Sequence, residues 1–592
     1  MKKNTLLALF GLLFLSFSCN NAPKTETKTT TSTDKTDKKW WKEAIVYQIY
    51  PRSFKDSNGD GIGDLKGITS KLDYIKSLGI DCVWLNPIFA SPNDDNGYDI
   101  SDYRGIMKDF GTMEDFDALL KGMHERGIKV VLDLVANHCS DEHNWFKEAR
   151  KSRDNPYRNY FHWRNAENGK PNARTSFFDV NNDAWKLDRA TNAYYLHYFS
   201  QKQPDLNWEN EKVRKEIFDM MNFWFDKGID GFRMDVISVV SKDTTFPPIP
   251  EKYASDAFKW YAEGQGGRTH DYLKEMYTQS LSKYNVMSIA EGAGVSAETA
   301  LDYVDEDRKE LNMLYHFEGV DYGYVKGKFK TPEPDGYKLP GFKEIYSKWD
   351  NVFAKKGWGT IYLGNHDQPR MLTRWGNDTP EFREASSKML TTFLMTMRAT
   401  PYYYFGDELG MSNIKFDNIS DYRDIESLTA FEREKKKGKA GDLKGLIEAQ
   451  KIGARDNGRT PFQWDATANA GFSTAKPWLK TNPNYLTINV EAQEKDQNSI
   501  LNYFRAMVKL RKSEPTLVYG KYTLLDKENS NVYSYTREYN GKKLLILLNF
   551  SKNTASANTG LDISKAKILI NNCSDFDKNG VLKAYQAVVL EL

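Results

Sequence analysis

The stretch "FDKGIDGFRMDV" (residues 225–236) contains the unit from which the fold can be predicted. An amphipathic helix ends at Gly228 and an apolar strand follows directly, since a glycine at a helix end tolerates positive φ. "YIKSLGIDCVWL" (74–85) and "MHERGIKVVLDLV" (123–135) repeat the same order of helix, glycine and strand. Strands that alternate with helices in this way pair in parallel, with the helices as crossovers.

The repeat indicates an α/β protein with a (β/α)8 TIM barrel. The alternative is a doubly wound open sheet, which shows the same alternation. The barrel is predicted to comprise residues 40–137 and 209–516, interrupted after strand three by an inserted loop-rich domain, 138–208. Helical periodicity stops near residue 517, and the short strands beyond it predict a C-terminal antiparallel β-sandwich domain, 517–592. The candidate strands are 45–50, 80–85, 129–134, 229–234, 286–290, 312–316, 360–363 and 401–405.

The N-terminus "MKKNTLLALFGLLFLSFSC" (1–19) has two lysines, an apolar run too short to span a bilayer, and small residues. It predicts a signal peptide over 1–18. It is similar to a bacterial lipoprotein signal, which implies lipidation of Cys19 and an exported protein anchored in the periplasm or at the outer membrane. The polar residues 19–39 cannot bury a core and are predicted to be a disordered linker. The alternative is an ordinary signal peptide that happens to contain Cys19.

The balance of charges restricts the partners. Lys and Arg number 83 against 81 Asp and Glu, a net charge of +2, so nothing in the charge indicates nucleic acid or an acidic membrane surface. We expect a monomer whose only membrane contact is the lipid anchor. Beyond Cys19 the cysteines are Cys82, Cys139 and Cys573, too few and too scattered for a disulfide framework.

The loop "DSNGDGIGD" (56–64) contains the oxygen ligands that a hard cation prefers. Asp56, Asn58 and Asp60 fit positions 1, 3 and 5 of an EF-hand, but Gly67 stands where its bidentate glutamate belongs. The loop is therefore not an EF-hand. The alternative is a metal-free turn in which Asp and Asn cap their own backbone.

Acidic residues recur at the carboxyl ends of the predicted strands, where chemistry gathers in such barrels. Asp235 ends strand four, Glu291 ends strand five and Asp367 follows strand seven. Two carboxyl groups about 5 Å apart would suit glycoside hydrolysis with retention of configuration. Arg233, two residues before Asp235 on the same strand face, is expected to keep that acid ionised as the nucleophile. Glu291 has no basic neighbour in sequence and follows an apolar run, which favours a raised pKa and an acid/base role.

Several stretches resemble the signature regions of glycoside hydrolase family 13, the α-amylase family, and two resemble markers of its oligo-1,6-glucosidase and α-glucosidase branch. The resemblance covers nearly everything from residue 40 onward. The four general regions are "DLVANHCSDEHNWF" (133–146), "GFRMDVI" (231–237), "SIAEG" (288–292) and "YLGNHDQPR" (362–370), and the branch markers are "QPDLNWEN" (203–210) and "RDNGRTPFQWD" (455–465).

This resemblance implies roles for individual residues. Asp235 would be the nucleophile, Glu291 the acid/base and Asp367 the third acid. Val236 would accompany α-1,6 specificity, because a branched side chain narrows the aglycone side. The residues implied in substrate binding are Asp95 and Arg455 at the non-reducing end, Tyr98 under the glucose, and His138, Arg233 and His366. A structural Ca²⁺, with Mg²⁺ as the alternative, would be bound by Asp56, Asn58, Asp60 and Asp64 and by the carbonyl of Ile62.

The expected activity is that of an exo-acting retaining α-glucosidase that releases α-1,6-linked glucose from isomalto-oligosaccharides and panose. The alternatives are an α-1,4-preferring enzyme and a sucrose-active or transglycosylating member of the branch. From another class, the alternative is an inactive membrane-tethered binding homologue. Residues 177–185 depart in length and composition from the family, and Ala290 stands where glycine is common.

Overall fold

The computed structural model describes residues 38–253, 257–263 and 267–592. The predicted signal peptide, Cys19 and most of the predicted linker lie outside the described residues. Within these ranges, no helix combines the length and the apolar character needed to cross a bilayer.

Eight parallel strands form the central sheet, in the spatial order β6-β5-β4-β3-β2-β1-β8-β7. A parallel bridge between Leu314 and Gly359 joins β6 to β7 and closes the sheet. This closure excludes the open doubly wound sheet and confirms the predicted barrel. Each strand lies within two residues of its predicted position. The strands are β1 Val46–Ile49, β2 Cys82–Leu85, β3 Lys129–Val135, β4 Gly231–Asp235, β5 Met287–Glu291, β6 Met313–Tyr315, β7 Thr360–Ile361 and β8 Thr400–Tyr404.

Helices surround the barrel and return the chain between strands. Gly79, Gly127 and Gly228 have φ values of 77°, 70° and 104°, as predicted for glycines that end helices. The helices between the strands are Leu65–Thr69, Leu72–Ser77, Met113–Glu125, Glu211–Lys227, Ala257–Ala262, Thr269–Gln279, Ala300–Val304, Leu339–Lys356, Met371–Trp375 and Arg383–Thr396. The helices Ile425–Lys436, Leu443–Gly453 and Ile500–Ser513 follow β8. Shorter helices are Trp40–Glu43, Pro51–Phe54, Asn144–Ala149, Glu318–Asp321, Val490–Lys495 and Pro515–Tyr519.

The segment between β3 and the next barrel helix contains a small antiparallel sheet of its own, with strands Trp163–Asn165, Trp185–Asp188 and Ala193–Leu196. A buried ion pair ties this segment to the barrel. Lys242 Nζ, in the loop after β4, lies 3.1 Å from Asp205 Oδ1, and neither side chain is exposed to solvent. The segment therefore has a fixed position beside the strand ends.

The chain ends in a five-stranded antiparallel sheet, which confirms the predicted C-terminal β-domain. Its strands, in sheet order, are Lys521–Leu525, Val532–Tyr539, Lys542–Asn549, Ala587–Glu591 and Lys567–Asn571, and a two-stranded sheet pairs Ala555–Ser556 with Val581–Leu582. Cys82, Cys139 and Cys573 are free thiols.

Candidate active site

The register of the barrel places two acids side by side. Ala290 of β5 pairs with Met234 of β4, so the next residues along, Glu291 and Asp235, end neighbouring strands at the same level. Adjacent strands lie about 4.8 Å apart, which is close to the separation of about 5 Å that retaining glycosidases require.

Arg233 connects three buried carboxyl groups. Its Nη1 lies 2.8 Å from Oδ1 of both Asp133 and Asp235, and its Nη2 contacts Oε1 of Glu291. Asp133 reaches the guanidinium because β3 pairs with β4 at Asp133 and Arg233. The prediction that Arg233 and Asp235 share one strand face is confirmed, and the fork of the guanidinium orients Asp235 and Glu291 toward one point.

Two expectations about ionisation need correction: that Glu291 is remote from basic groups, and that Arg233 keeps the pKa of Asp235 low. Glu291 does have a basic neighbour in space, because Arg233 contacts it as well as Asp235. Burial first, and then the charge of Glu291, raises the pKa of Asp235 well above its ordinary value, and Arg233 offsets this only in part. Burial also raises the pKa of Glu291, in the predicted direction. Because the two carboxyl groups interact, the raised pKa belongs to the pair, which keeps one shared proton to higher pH than either acid would in water.

Val236 fixes the second oxygen of Glu291. Its backbone N–H donates to Glu291 Oε2 at 2.8 Å. This donor points toward Glu291 because Val236 adopts φ 36° and ψ 37°, a left-handed conformation that is unfavourable for a β-branched residue. Strain of this kind costs on the order of 1–3 kcal/mol and concentrates at functional sites.

Tyr98 and His366 form the base of the site. Their rings stack with centroids 5.2 Å apart and planes 7° from parallel. The Tyr98 hydroxyl donates to Asp133 Oδ2 at 2.8 Å and lies 2.6 Å from His366 Nε2. Burial holds the pKa of His366 well below its ordinary value, so the ring is neutral near pH 7. The ring of Tyr98 is thus held parallel to the buried ring of His366.

Asp367 lies beside two arginines. Its Oδ1 accepts from Arg455 Nη1 at 2.9 Å and from Arg459 Nη2 at 3.3 Å. Burial alone raises the pKa of Asp367, but the charges of His366, Arg455 and Arg459 reverse this and hold the pKa below its ordinary value. Since the His366 ring is neutral, we assign the effect mainly to the arginines. Asp367 is therefore ionised wherever the protein is folded near neutral pH.

Asp95 and Arg455 meet across one end of the site, 3.6 Å apart. Arg455 also forms a two-point contact with Asp424, at 2.9 Å and 2.7 Å, which fixes its guanidinium. Burial raises the pKa of Asp95 to about 8, against the lowering effect of Arg455. His138 is also buried, and burial lowers its pKa to about 4, so its ring is neutral near pH 7.

One cavity of about 320 Å³ collects these groups. Its lining includes all three predicted catalytic acids. Arg233 lies behind the lining and acts on the cavity through Asp235 and Glu291. The other predicted substrate-binding residues that line it are Asp95, Tyr98, His138, Val236, His366 and Arg455.

The lining also contains residues that we did not predict. Five phenylalanines form much of its wall, and Lys330 Nζ contacts Glu426 Oε2 at 2.8 Å beside Asp367. No short motif marks these positions, because they come from four separate segments that follow barrel strands. The one feature of the sequence that could have indicated them was the unusual stretch 177–185. The phenylalanines are Phe177, Phe178, Phe199, Phe258 and Phe317.

The loop 56–64 lies apart from this cavity and is internally hydrogen-bonded. Asp56 accepts backbone N–H groups of Asn58, Gly59 and Gly61, between 2.7 and 2.9 Å, and also the Ser473 hydroxyl.

The other loop acids are bonded in the same way. Asp64 caps the next helix through Gly67 N at 2.7 Å, and Asp60 accepts from Ile62 N at 2.8 Å. In the part of the chain that the structure describes, no three His, Cys, Asp or Glu side chains are arranged to hold a metal ion. The donors are all oxygens, as a hard cation prefers, but the turn is complete without one.

A closed parallel barrel that gathers two adjacent carboxyl groups and a third acid around one cavity defines a glycoside hydrolase. A model of the α-amylase catalytic domain matches residues 48–520. The chain belongs to the α-amylase family, glycoside hydrolase family 13.

Curated relatives in this family are similar over nearly their whole length. The oligo-1,6-glucosidase of Parageobacillus thermoglucosidasius is 50 % identical over 523 residues, 87 % of this chain and 91 % of that protein. The oligo-1,6-glucosidase of Bacillus cereus is 47 % identical, covering 94 % and 100 %. The trehalose-6-phosphate hydrolase of Bacillus subtilis (strain 168) is 44 % identical, covering 93 % and 98 %.

Solved structures give the same architecture. The isomaltulose synthase from Klebsiella sp. LX3 superposes with a TM-score of 0.90 at 41 % identity, over 94 % of this chain and 100 % of that one. A trehalulose synthase variant in complex with Tris superposes with a TM-score of 0.89 at 42 % identity, over 94 % and 100 %.

Proposed function

We propose that this enzyme is an exo-acting, retaining α-glucosidase that hydrolyses terminal α-1,6-linked glucose from isomalto-oligosaccharides and panose. The observation that carries the proposal is the contact of the Arg233 guanidinium with both Asp235 and Glu291, which end neighbouring strands. The identity of 45–50 % to several oligo-1,6-glucosidases supports the same substrate class.

The reaction proceeds by double displacement. An Asp235 oxygen attacks the anomeric carbon while Glu291 gives its proton to the glycosidic oxygen, so the bond to the leaving sugar breaks as the bond to Asp235 forms. Glu291 then takes a proton from water, the water oxygen attacks the same carbon, and Asp235 leaves as a carboxylate. Two inversions restore the α configuration.

The charges of the site suit each step. The shared proton of the Asp235–Glu291 pair lies on Glu291 when Asp235 attacks, and Arg233 favours this because it stabilises the ionised nucleophile. Asp367 remains ionised and stabilises the positive charge that develops on the sugar ring. Its neighbours hold its pKa low, so it stays ionised at neutral pH although it is buried.

The closed end of the cavity makes the enzyme exo-acting. Asp95 and Arg455 lie 3.6 Å apart there. We expect them to bind the hydroxyl groups of the terminal glucose and to leave no site for a further sugar beyond it. Val236 lies on the other side of Asp235, lines the cavity and narrows the position of the leaving sugar. This narrowing favours the α-1,6 linkage, whose additional rotatable bond lets the leaving sugar turn away from the branched side chain.

The test compares initial rates on isomaltose, panose, maltose, sucrose and trehalose. We expect isomaltose or panose to be hydrolysed faster than maltose, with α-glucose as the first anomer detected by NMR. Asp235→Asn should abolish hydrolysis while the circular dichroism spectrum is unchanged. Faster turnover of maltose contradicts the linkage assignment, and β-glucose as first product contradicts the retaining mechanism.

A second candidate is rearrangement of sucrose, and the superposition on isomaltulose and trehalulose synthases favours it. Against it, the stretch "FEGVDYGYVKGKF" (317–329) lacks the Arg-Leu-Asp-Arg type of motif of sucrose isomerases. Chromatography of the products from sucrose distinguishes the two activities: free glucose and fructose indicate hydrolysis, and a new disaccharide indicates isomerisation.

We also propose that the loop 56–64 binds Ca²⁺, through Asp56, Asn58, Asp60, Asp64 and the Ile62 carbonyl, as a stabilising ion outside the catalytic cavity. The spacing and the all-oxygen donor set support this, and the internal hydrogen bonds favour the metal-free turn instead. Binding requires the Ser57 and Ser473 hydroxyls to release Asp64 and Asp56.

Calorimetry separates the two hypotheses. Calcium binding predicts one site by titration, a thermal midpoint that rises on adding Ca²⁺ to EDTA-treated protein, and loss of both in Asp60→Ala. Mg²⁺ is titrated in parallel. The metal-free turn predicts no heat of binding and equal midpoints in Ca²⁺ and EDTA.

We propose export and lipidation at Cys19, which the N-terminal sequence supports, and anchoring in the periplasm or at the outer membrane. We also propose that the mature enzyme is a monomer. Partition of the full-length protein into detergent, lost in Cys19→Ala, tests the anchor. Cell fractionation tests the location, and sedimentation of the enzyme without residues 1–39 tests the monomer.

A further inference from the structure

One aromatic side chain at the mouth of the cavity is not used by the mechanism above. In the described part of the chain, five large hydrophobic side chains are exposed, and Phe177, at 49 % exposure, is the one that lines the cavity. Its position lies within the stretch 177–185 that departs from the family pattern. An exposed ring beside a sugar-binding cavity offers an apolar face to a ligand.

The surroundings of Phe177 place it on the open side of the cavity. Its ring stacks on Phe199 at 5.6 Å with an angle of 21° and lies 4.9 Å from Phe258. Phe258 packs in the same cluster as Val236, which follows the nucleophile on the side of the leaving sugar. The neighbouring residue Phe178 also contacts Phe199, with ring centroids 5.7 Å apart, and the Arg455 guanidinium lies 5.2 Å from its ring centre.

The backbone that carries Phe177 is held from across the cavity mouth. Arg433, on the helix Ile425–Lys436, donates from Nη2 to the carbonyl of Ser176 at 2.7 Å and from Nε to that of Asp179 at 2.9 Å. These bonds bracket Phe177 on both sides in sequence. The ring is therefore presented by an anchored turn, so little conformational entropy is lost when a ligand packs on it.

We propose that Phe177 is a stacking platform for the second sugar of the leaving group, so that the enzyme cleaves isomaltotriose more efficiently than isomaltose. This inference rests on the proposed α-glucosidase function. In this arrangement the first leaving sugar lies between Val236 and the pair Phe199 and Phe258. The rest of the oligosaccharide then leaves the cavity past Phe177. The C–H face of a pyranose packs on the negative face of the ring and removes exposed apolar surface from water.

The test measures kcat and KM on isomaltose and on isomaltotriose for the wild type, Phe177→Ala and Phe177→Trp. Phe177→Ala should lower kcat/KM for isomaltotriose about five- to tenfold, through KM, and change that for isomaltose less than about twofold. Phe177→Trp keeps an aromatic face and should retain the preference for the trisaccharide. Leu486→Ala, which removes another exposed side chain away from the cavity, is the matched control.

The outcomes are distinct. An equal loss on both sugars, or no loss on either, overturns the proposal while leaving the α-glucosidase function intact. A wild type that hydrolyses neither sugar overturns both. Loss of the trisaccharide preference in Phe177→Trp overturns the stacking explanation, because the larger ring preserves the platform.

Discussion

Arg233 supports a prediction that separates charge from geometry. Its Nη1 contacts Asp235 and Asp133, and its Nη2 contacts Glu291. In Arg233→Lys the positive charge stays, but a single amine cannot reproduce the fork that holds all three carboxyl groups. In Arg233→Met the side chain keeps similar bulk and the charge is lost. The two variants therefore remove different parts of the same interaction.

The magnitudes follow from the contacts. Loss of one charge-assisted hydrogen bond costs about 1.5–3 kcal/mol, so kcat in Arg233→Lys should fall about 10- to 100-fold. Loss of a cation adjacent to an acid raises its pKa by about 1–3 units. Since Asp235 must be ionised to attack, the acid limb of the kcat/KM profile in Arg233→Met should move toward higher pH by that amount. The limb should stay in place in Arg233→Lys.

The assay is glucose release from isomaltose across the pH range in which each variant stays folded, followed as kcat/KM. Arg268→Met is the matched control, since Arg268 is exposed and its ion pair, with Asp271 at 3.1 Å, is also exposed. Arg233→Met also leaves the three buried carboxyl groups without their shared cation, at a cost of about 3–5 kcal/mol, so its thermal midpoint is measured first. An acid limb at the wild-type pH in Arg233→Met would refute the role assigned to this charge.

Three further predictions concern other parts of the site. Val236→Ala should raise the ratio of kcat/KM for maltose over isomaltose about tenfold, and an unchanged ratio contradicts the narrowing by Val236. Burial raises the pKa of Asp95 to about 8 in the folded state, so between about pH 4 and pH 8 the folded state holds a proton that the unfolded state has lost. Asp95 therefore makes the protein less stable as the pH rises from about 4 through 8. Asp95→Asn should remove this contribution from a plot of thermal midpoint against pH. Lys242→Met leaves the buried Asp205 without a cation and should lower the free energy of unfolding by about 3–5 kcal/mol. Lys215→Met, at an exposed pair, should change the free energy of unfolding little.

The barrel and its strand ends were predictable because they depend on local patterns. Apolar strands after helix-ending glycines recur along the chain, and the order of a barrel then places the ends of β4 and β5 side by side. The adjacency of Asp235 and Glu291 follows from that order alone. Strand lengths were less predictable: β7 was expected over 360–363, and the structure gives it only Thr360–Ile361.

The environment of the acids could not be read from their sequence neighbours. Arg233 reaches Glu291 across the sheet. Burial outweighs the charge of Arg233 in setting the pKa of Asp235. Neither effect has a signature at fixed spacing. The aromatic wall was missed for a related reason, since Phe177, Phe258 and Phe317 come from different connections and meet only when those connections fold over the strand ends.

The balance of charge around the cavity explains how a site can bind a neutral sugar and still favour a cationic transition state. Among the described residues, the cavity is lined by six carboxyl groups and two cationic side chains, Lys330 and Arg455. Burial raises the pKa of Asp95 to about 8 and also raises the pKa values of Asp235 and Glu291, which reduces but does not cancel the excess of negative charge. A neutral glucoside gains little from that excess, whereas an oxocarbenium-like ring gains at each oxygen that faces it. Arg233 lies behind the lining and offsets the cost of burying these acids. From that position it stabilises their negative charge without opposing the positive charge that develops on the sugar ring.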